Sequence, residues 1–130
     1  EVGEGLARGL ALDVLASLEH RWGDDHTARK LVADALEQYQ QVHYREGEAS
    51  ALSLTGAIAL RRGDATAASE AFGQSLRLCR RIGHRAGAAT ALEGLASVAS
   101  EAKDSDRASD LSRDAALLRA QIGVPRLAGD

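Results

Sequence analysis

Residues 51–70 read ALSLTGAIALRRGDATAASE. Forty residues earlier the chain reads ALDVLASLEHRWGDDHTARK (11–30), and forty later ALEGLASVASEAKDSDRASD (91–110). The three segments align without a gap. Leu12, Leu52 and Leu92 coincide, as do the small residues Ala16, Gly56 and Ala96. Leu18, Ile58 and Val98 follow, then Asp24, Asp64 and Asp104, then Ala28, Ala68 and Ala108. Val42, Ile82 and Ile122 close the units. A fixed period of this length marks a repeat architecture in which each unit buries its apolar face against a neighbour.

Each unit reads as helix, tight turn, helix. Leu12, Leu15, Ala16 and Leu18 run along one helical face, and Ala28, Leu31, Val32, Ala35, Leu36, Tyr39 and Val42 along another. Gly23-Asp24, Gly63-Asp64 and Lys103-Asp104 sit between the two. Glycine tolerates the left-handed conformation that ends a helix, and the aspartate carboxylate can accept the free amides opening the next. The only proline is Pro125. Helices are therefore expected near 4–21, 25–43, 45–61, 65–82, 85–101 and 105–122. Ala16, Gly56 and Ala96 are expected to face Ala28, Ala68 and Ala108 across each hairpin. Arg62-Gly63-Asp64 spells an adhesion tripeptide, but its counterparts Trp22-Gly23-Asp24 and Ala102-Lys103-Asp104 share the turn and not the arginine. It reads as architecture.

The pattern resembles the tetratricopeptide repeat: a small residue in the first helix, Gly-Asp at the turn, and an alanine in the second helix. A large residue follows four positions on at Val32 and Phe72, though Ser112 stands there in the last copy. The resemblance implies an all-α fold, an α-α superhelix of three helix-turn-helix repeats (4–43, 45–82, 85–122) with a tail at 123–130. The unit is longer than the family's 34 residues and lacks its terminal proline. Units of about this size resemble those in large bacterial signalling ATPases and their attached transcription regulators. The closing segment LEGLASVASEAKDSDRASDLSRDAALLRAQIGVPR looks like the C-terminal end of such proteins. A C-terminal fragment of a longer protein is expected.

Composition narrows the function. The 130 residues carry a net charge of −3, with 45% hydrophobic and 27% charged side chains, ordinary for a single globular domain. Two lysines against fourteen arginines, with abundant alanine and glycine, suit a GC-rich bacterial genome. The single cysteine, Cys79, cannot pair within the chain, so a reducing cytoplasm is the simpler compartment. No stretch approaches the roughly 18–20 apolar residues of a membrane span. No basic tail marks a nucleic-acid binder. His20, His26, His43 and His84 lack the spacing of a metal site, and no nucleophile or phosphate-loop motif is present. A non-catalytic domain without cofactor or metal is expected.

Three candidate surfaces remain. The family geometry places first helices along the concave face, which would present Asp13, Ser17, His20, Ser50, Ser53, Arg61, Thr90, Glu93 and Ser97 to a protein or peptide partner. This row lacks the lysine and asparagine clamp of chaperone-binding relatives. Arg77, Arg80, Arg81 and Arg85 form a basic patch in a locally positive middle segment. Residues 45–86 hold seven basic and four acidic side chains, against four and eight in residues 1–44. Leu6, Leu10 and Val14 add a second apolar stripe to the first helix, expected to meet a preceding repeat or a second copy. A small-molecule effector in the groove, with polar groups converging around Arg61 and Glu93, is the competing expectation.

Overall fold

The structure, a computed structural model, describes residues 2–123. Among them are six α-helices: α1 (Val2–Arg21), α2 (Asp25–Gln41), α3 (Arg45–Arg61), α4 (Ala65–Ile82), α5 (Arg85–Glu101) and α6 (Ser105–Gly123). The chain is all-α and folds as a superhelical repeat. Gly123 ends α6, and the rest of the expected tail, 124–130 with Pro125, lies outside the described residues.

One joint connects every pair of helices. The residue in the left-handed region is Gly23, His43, Gly63, Gly83 or Lys103. The next amide bonds back to a carbonyl five residues earlier, as in Asp24 to Glu19 and Asp64 to Ala59, both 2.9 Å. This six-residue closure satisfies carbonyls that a helix end would leave orphaned. It also stops α2 at Gln41, two residues short of the expected end, because His43 turns to φ 57°. Within each unit the aspartate then caps the second helix. Asp24, Asp64 and Asp104 accept the amides of Thr27, Ala67 and Arg107 at 3.1, 3.0 and 3.2 Å.

Contacts between helices set the curvature. Each helix packs on its chain neighbours; in addition α1 touches α3 and α3 touches α5. The backbones of the second helices, α2, α4 and α6, do not approach one another in this way. First helices are therefore the inner, concave layer and second helices the outer one.

The core follows the repeat. Ala16, Ala28, Val32, Ala35 and Tyr39 of the first unit pack with Ala51 and Ile58 of α3. Leu76, Cys79, Ala88, Ala91 and Leu92 do the same job between the second and third units, with Ala115 of α6. At Gly56 the nearest neighbour of the missing Cβ is Phe72 of α4. A Cβ there would lie 2.9 Å from the Phe72 ring, and one at Gly94 only 2.3 Å from it. The two glycines leave room for an aromatic wedge between α3 and α5.

Candidate functional site

The concave face is built from residues one helical turn or so apart on α1, α3 and α5, and their neighbours on the outer layer decide which are available. Asp13 is half-buried and accepts hydrogen bonds from the Tyr39 hydroxyl (3.0 Å) and Ser50 Oγ (3.4 Å). Burial pushes its carboxyl above the ordinary aspartate range, with the two donors working against that rise. Glu93, its counterpart eighty residues on, is held by the Arg119 guanidinium at 2.6 and 2.9 Å, and its carboxyl lies below the usual range because of that partner.

The other expected groove residues divide. Ser53 is buried, 2.8 Å from the Ser75 hydroxyl, which itself donates to the Ala49 carbonyl. Ser17 and Ser97 bond the carbonyls four residues back, of Asp13 and Glu93. Arg61 does not project free into the groove: its Nε donates to Asp25 at 2.8 Å, and a terminal nitrogen reaches Asp25 and the His20 carbonyl. His20 Nδ1 lies 3.0 Å from the same carboxylate. Arg61 above all, and His20 second, hold the Asp25 pKa down to about 2. The cluster fastens the end of α3 to the α1–α2 joint. Arg61 and Glu93 do not converge.

A cavity of about 540 Å³ opens between α3 and α5 on this face. Phe72 is part of its lining, with Leu54, Ala57, Gly94, His84 and Arg119 among the other walls. Its origin is legible by repeat comparison. Between α1 and α3 the corresponding space is filled by Tyr39 and Tyr44, whose rings meet edge to face at 5.5 Å. Tyr39 is wedged under both Gly9 and Gly47. Forty residues on, those tyrosines become Cys79 and His84. His84 forms part of the cavity wall, while Cys79 lines the separate space beside Asp114. No motif in the sequence marks His84, Phe72, Gly94 and Arg119 as wall residues; the exchange of Tyr44 for His84 at period 40 is the signal that points to them.

The remaining groups lie elsewhere. Arg77 and Arg80 border a groove between α4 and the α5–α6 joint, together with Arg107 and Asp104. Arg80 and Arg85 frame a second space of about 420 Å³ beside Asp114, and Arg81 lines neither. None of the four arginines makes an ion pair among the described residues. On α1, Leu10, Val14 and Leu15 are exposed, whereas Leu6 packs onto the first core cluster and does not belong to the outer stripe. Cys79 is a buried free thiol, its pKa raised by burial. Among the described residues no three His, Cys, Asp or Glu side chains gather as a metal site would require. No described helix is long and apolar enough to cross a membrane.

Comparison with known proteins agrees with this geometry. The family model TPR_12, tetratricopeptide repeat, matches residues 47–116, more than half of the chain. The crystal structure of BtubC (BKLC) from P. vanneervenii superposes with a TM-score of 0.76 over 94% of this chain. It shares 19% sequence identity, so the likeness is one of fold. The match covers 52% of that chain, so the present one spans about half its length. No curated protein matches the sequence.

Proposed function

Because the chain belongs to the tetratricopeptide repeat family, whose repeats generally mediate protein–protein interaction, we propose that it is a non-catalytic module that binds a segment of a protein partner along its concave face. One observation carries the reading: the cavity between α3 and α5, in whose wall His84 stands where the first unit has Tyr44. A pocket with an apolar floor and few polar groups at its edge is what a side-chain anchor needs. The effector reading is the weaker one, since Arg61 and Glu93 are both spent on ion pairs within the chain. The regulator context rests on the 40-residue unit and the composition: a C-terminal sensor or scaffold module of a cytoplasmic bacterial signalling protein. Further 40-residue units leading back to a nucleotide-binding loop upstream of Glu1 would be the expected genomic finding.

His84→Tyr tests the groove. Tyr44 already occupies the equivalent joint with the same backbone, φ −86° and ψ 89° against −88° and 88° at His84. The variant should fold and fill the cavity. Twelve-residue peptides selected on the wild-type protein from a random display library should lose at least about tenfold in affinity for it. Unchanged affinity with an intact helical spectrum sinks the proposal.

A second reading is favoured by α1. Its exposed Val14 and Leu15 correspond to Leu54 and Thr55 of α3 and to Gly94 and Leu95 of α5, positions half-covered in their own helices. Ala11 and Leu18 correspond to Ala51 and Ile58, which are buried against α2. The same face on α1 is thus shaped to pack on another helix, from a preceding unit or a second copy. Scattering at high concentration that reports a monomer would remove the second copy.

A further inference from the structure

The carboxylate of Asp13 lacks the counter-ion that its repeat counterpart has. Its repeat counterpart Glu93 is neutralised by Arg119, and Asp25 is neutralised by Arg61. At the position equivalent to Arg119 the first unit carries Tyr39, which supplies a hydrogen bond and no charge. No lysine, arginine or histidine pairs with Asp13 among the described residues. A half-buried carboxylate without a counter-ion is costly, because desolvation penalises the charge and two neutral donors only partly offset it. The rise in its pKa has the same cause.

Position adds the second observation. Ser50 donates to Asp13 and also lines the cavity between α3 and α5. One exposed hydroxyl therefore joins the unbalanced charge to the apolar pocket. At the far edge Arg119 and Thr90 are bonded to each other at 3.3 Å, and Arg119 is already committed to Glu93, so that edge offers no unbalanced charge. Around the cavity the face is apolar at its centre, with an unpaired carboxylate at Asp13 on one side and the balanced Glu93–Arg119 pair on the other.

We propose that the partner is a basic protein segment: an apolar side chain seats over Phe72 between α3 and α5, and a flanking lysine or arginine closes an ion pair on Asp13. The inference rests on the concave-face reading above and names the chemistry of the segment that fills it. Arginine suits the site well, since its planar fork can span both carboxylate oxygens.

The test reuses the displayed 12-residue library and adds two variants. Asp13→Asn retains an oxygen to accept from Tyr39 and Ser50 but removes the charge; Asp13→Lys reverses it. Peptides selected on the wild type should carry lysine or arginine within a few residues of a leucine, valine, isoleucine or aromatic residue. Their affinity should fall about tenfold or more on Asp13→Asn, the scale expected for a charge-assisted bond. A fresh selection on Asp13→Lys should replace the basic residue by aspartate or glutamate. Peptides that lose binding on His84→Tyr yet bind wild type and Asp13→Asn within twofold of each other overturn the basic anchor and leave the groove standing. Selected peptides indifferent to His84→Tyr, or a library that enriches nothing on wild type, overturn the groove reading and this inference together. Because Asp13→Asn keeps both hydrogen bonds, a thermal melt at or above that of wild type separates lost binding from lost folding.

Discussion

Gly56 and Gly94 show how a single missing methyl sets the spacing of two helices. The Phe72 ring lies within 3 Å of where either Cβ would sit, so alanine at position 94 must push the ring or separate α3 from α5. Overpacking of this kind costs about 1–3 kcal/mol, against which alanine recovers about 1 kcal/mol of helix propensity. Gly94→Ala should therefore lower the melting temperature. Gly73 of α4 is the control: a Cβ there meets only Arg77 Nη1, at 3.4 Å. Gly73→Ala should raise the melting temperature by roughly 4 °C or less, and the opposite order in a thermal melt would contradict the wedge. Asp25 gives a pH signature. Its folded pKa, about 2, lies below the ordinary value of 3.8. The ion pair thus contributes fully above about pH 4 and is lost as pH falls toward 2. Acid titration of Arg61→Ala should show a shallower loss of stability in that window than wild type. Period and chemistry made the caps Asp24, Asp64 and Asp104 readable from sequence. The Arg61–Asp25 pair was not readable, because its equivalents (Glu101 with Ala65, Arg21 upstream) are not complementary and the two residues are 36 apart.

At the scale of elements, the helices end where the joint requires a left-handed residue, and the five joints differ in what fills that place. Three use glycine, while His43 and Lys103 adopt φ 57° and 62°. A side chain in this region costs about 1 kcal/mol or more relative to glycine. Lys103→Gly should therefore stabilise the α5–α6 joint by about 1 kcal/mol, measurable as a shift in the denaturation midpoint with an unchanged slope. The second difference lies at the start of helices. The joints inside units carry an aspartate cap; those between units carry Tyr44 and His84, which make no side-chain cap bond. Sequence periodicity located all six helices, because apolar spacing and turn chemistry are local. It could not show that Tyr44 and His84 use their rings to fill, or fail to fill, the space between first helices. That is a property of packing across units.

For the whole molecule, contacts reach only to the next unit, so stability is a sum of units and their interfaces. The interior units share the most. Helices α3, α4 and α5 together bury twenty residues, whereas α6 buries Ala115 alone. Amide hydrogen exchange should accordingly be slowest in α3–α5 and fastest in α6, with sub-global opening from the C-terminal end. Uniform protection across all six helices would show a cooperativity that these interfaces do not supply. The same arrangement explains why the fold was visible in the sequence and the site less so. A period announces the units, while the opening between α3 and α5 lies where the second unit departs from the first, at His84 in place of Tyr44.

The wider spacing of the outer helices also has a mechanical meaning. Among the described residues the third unit meets the second along the inner seam of α3 and α5 and, more broadly, through α4 against α5. It is hung like a door on its jamb. If a partner side chain seats over Phe72 as proposed, it enters that seam, and a changed α4–α6 distance between free and peptide-bound protein, read by spin labels on the two helices, would show the third unit swinging.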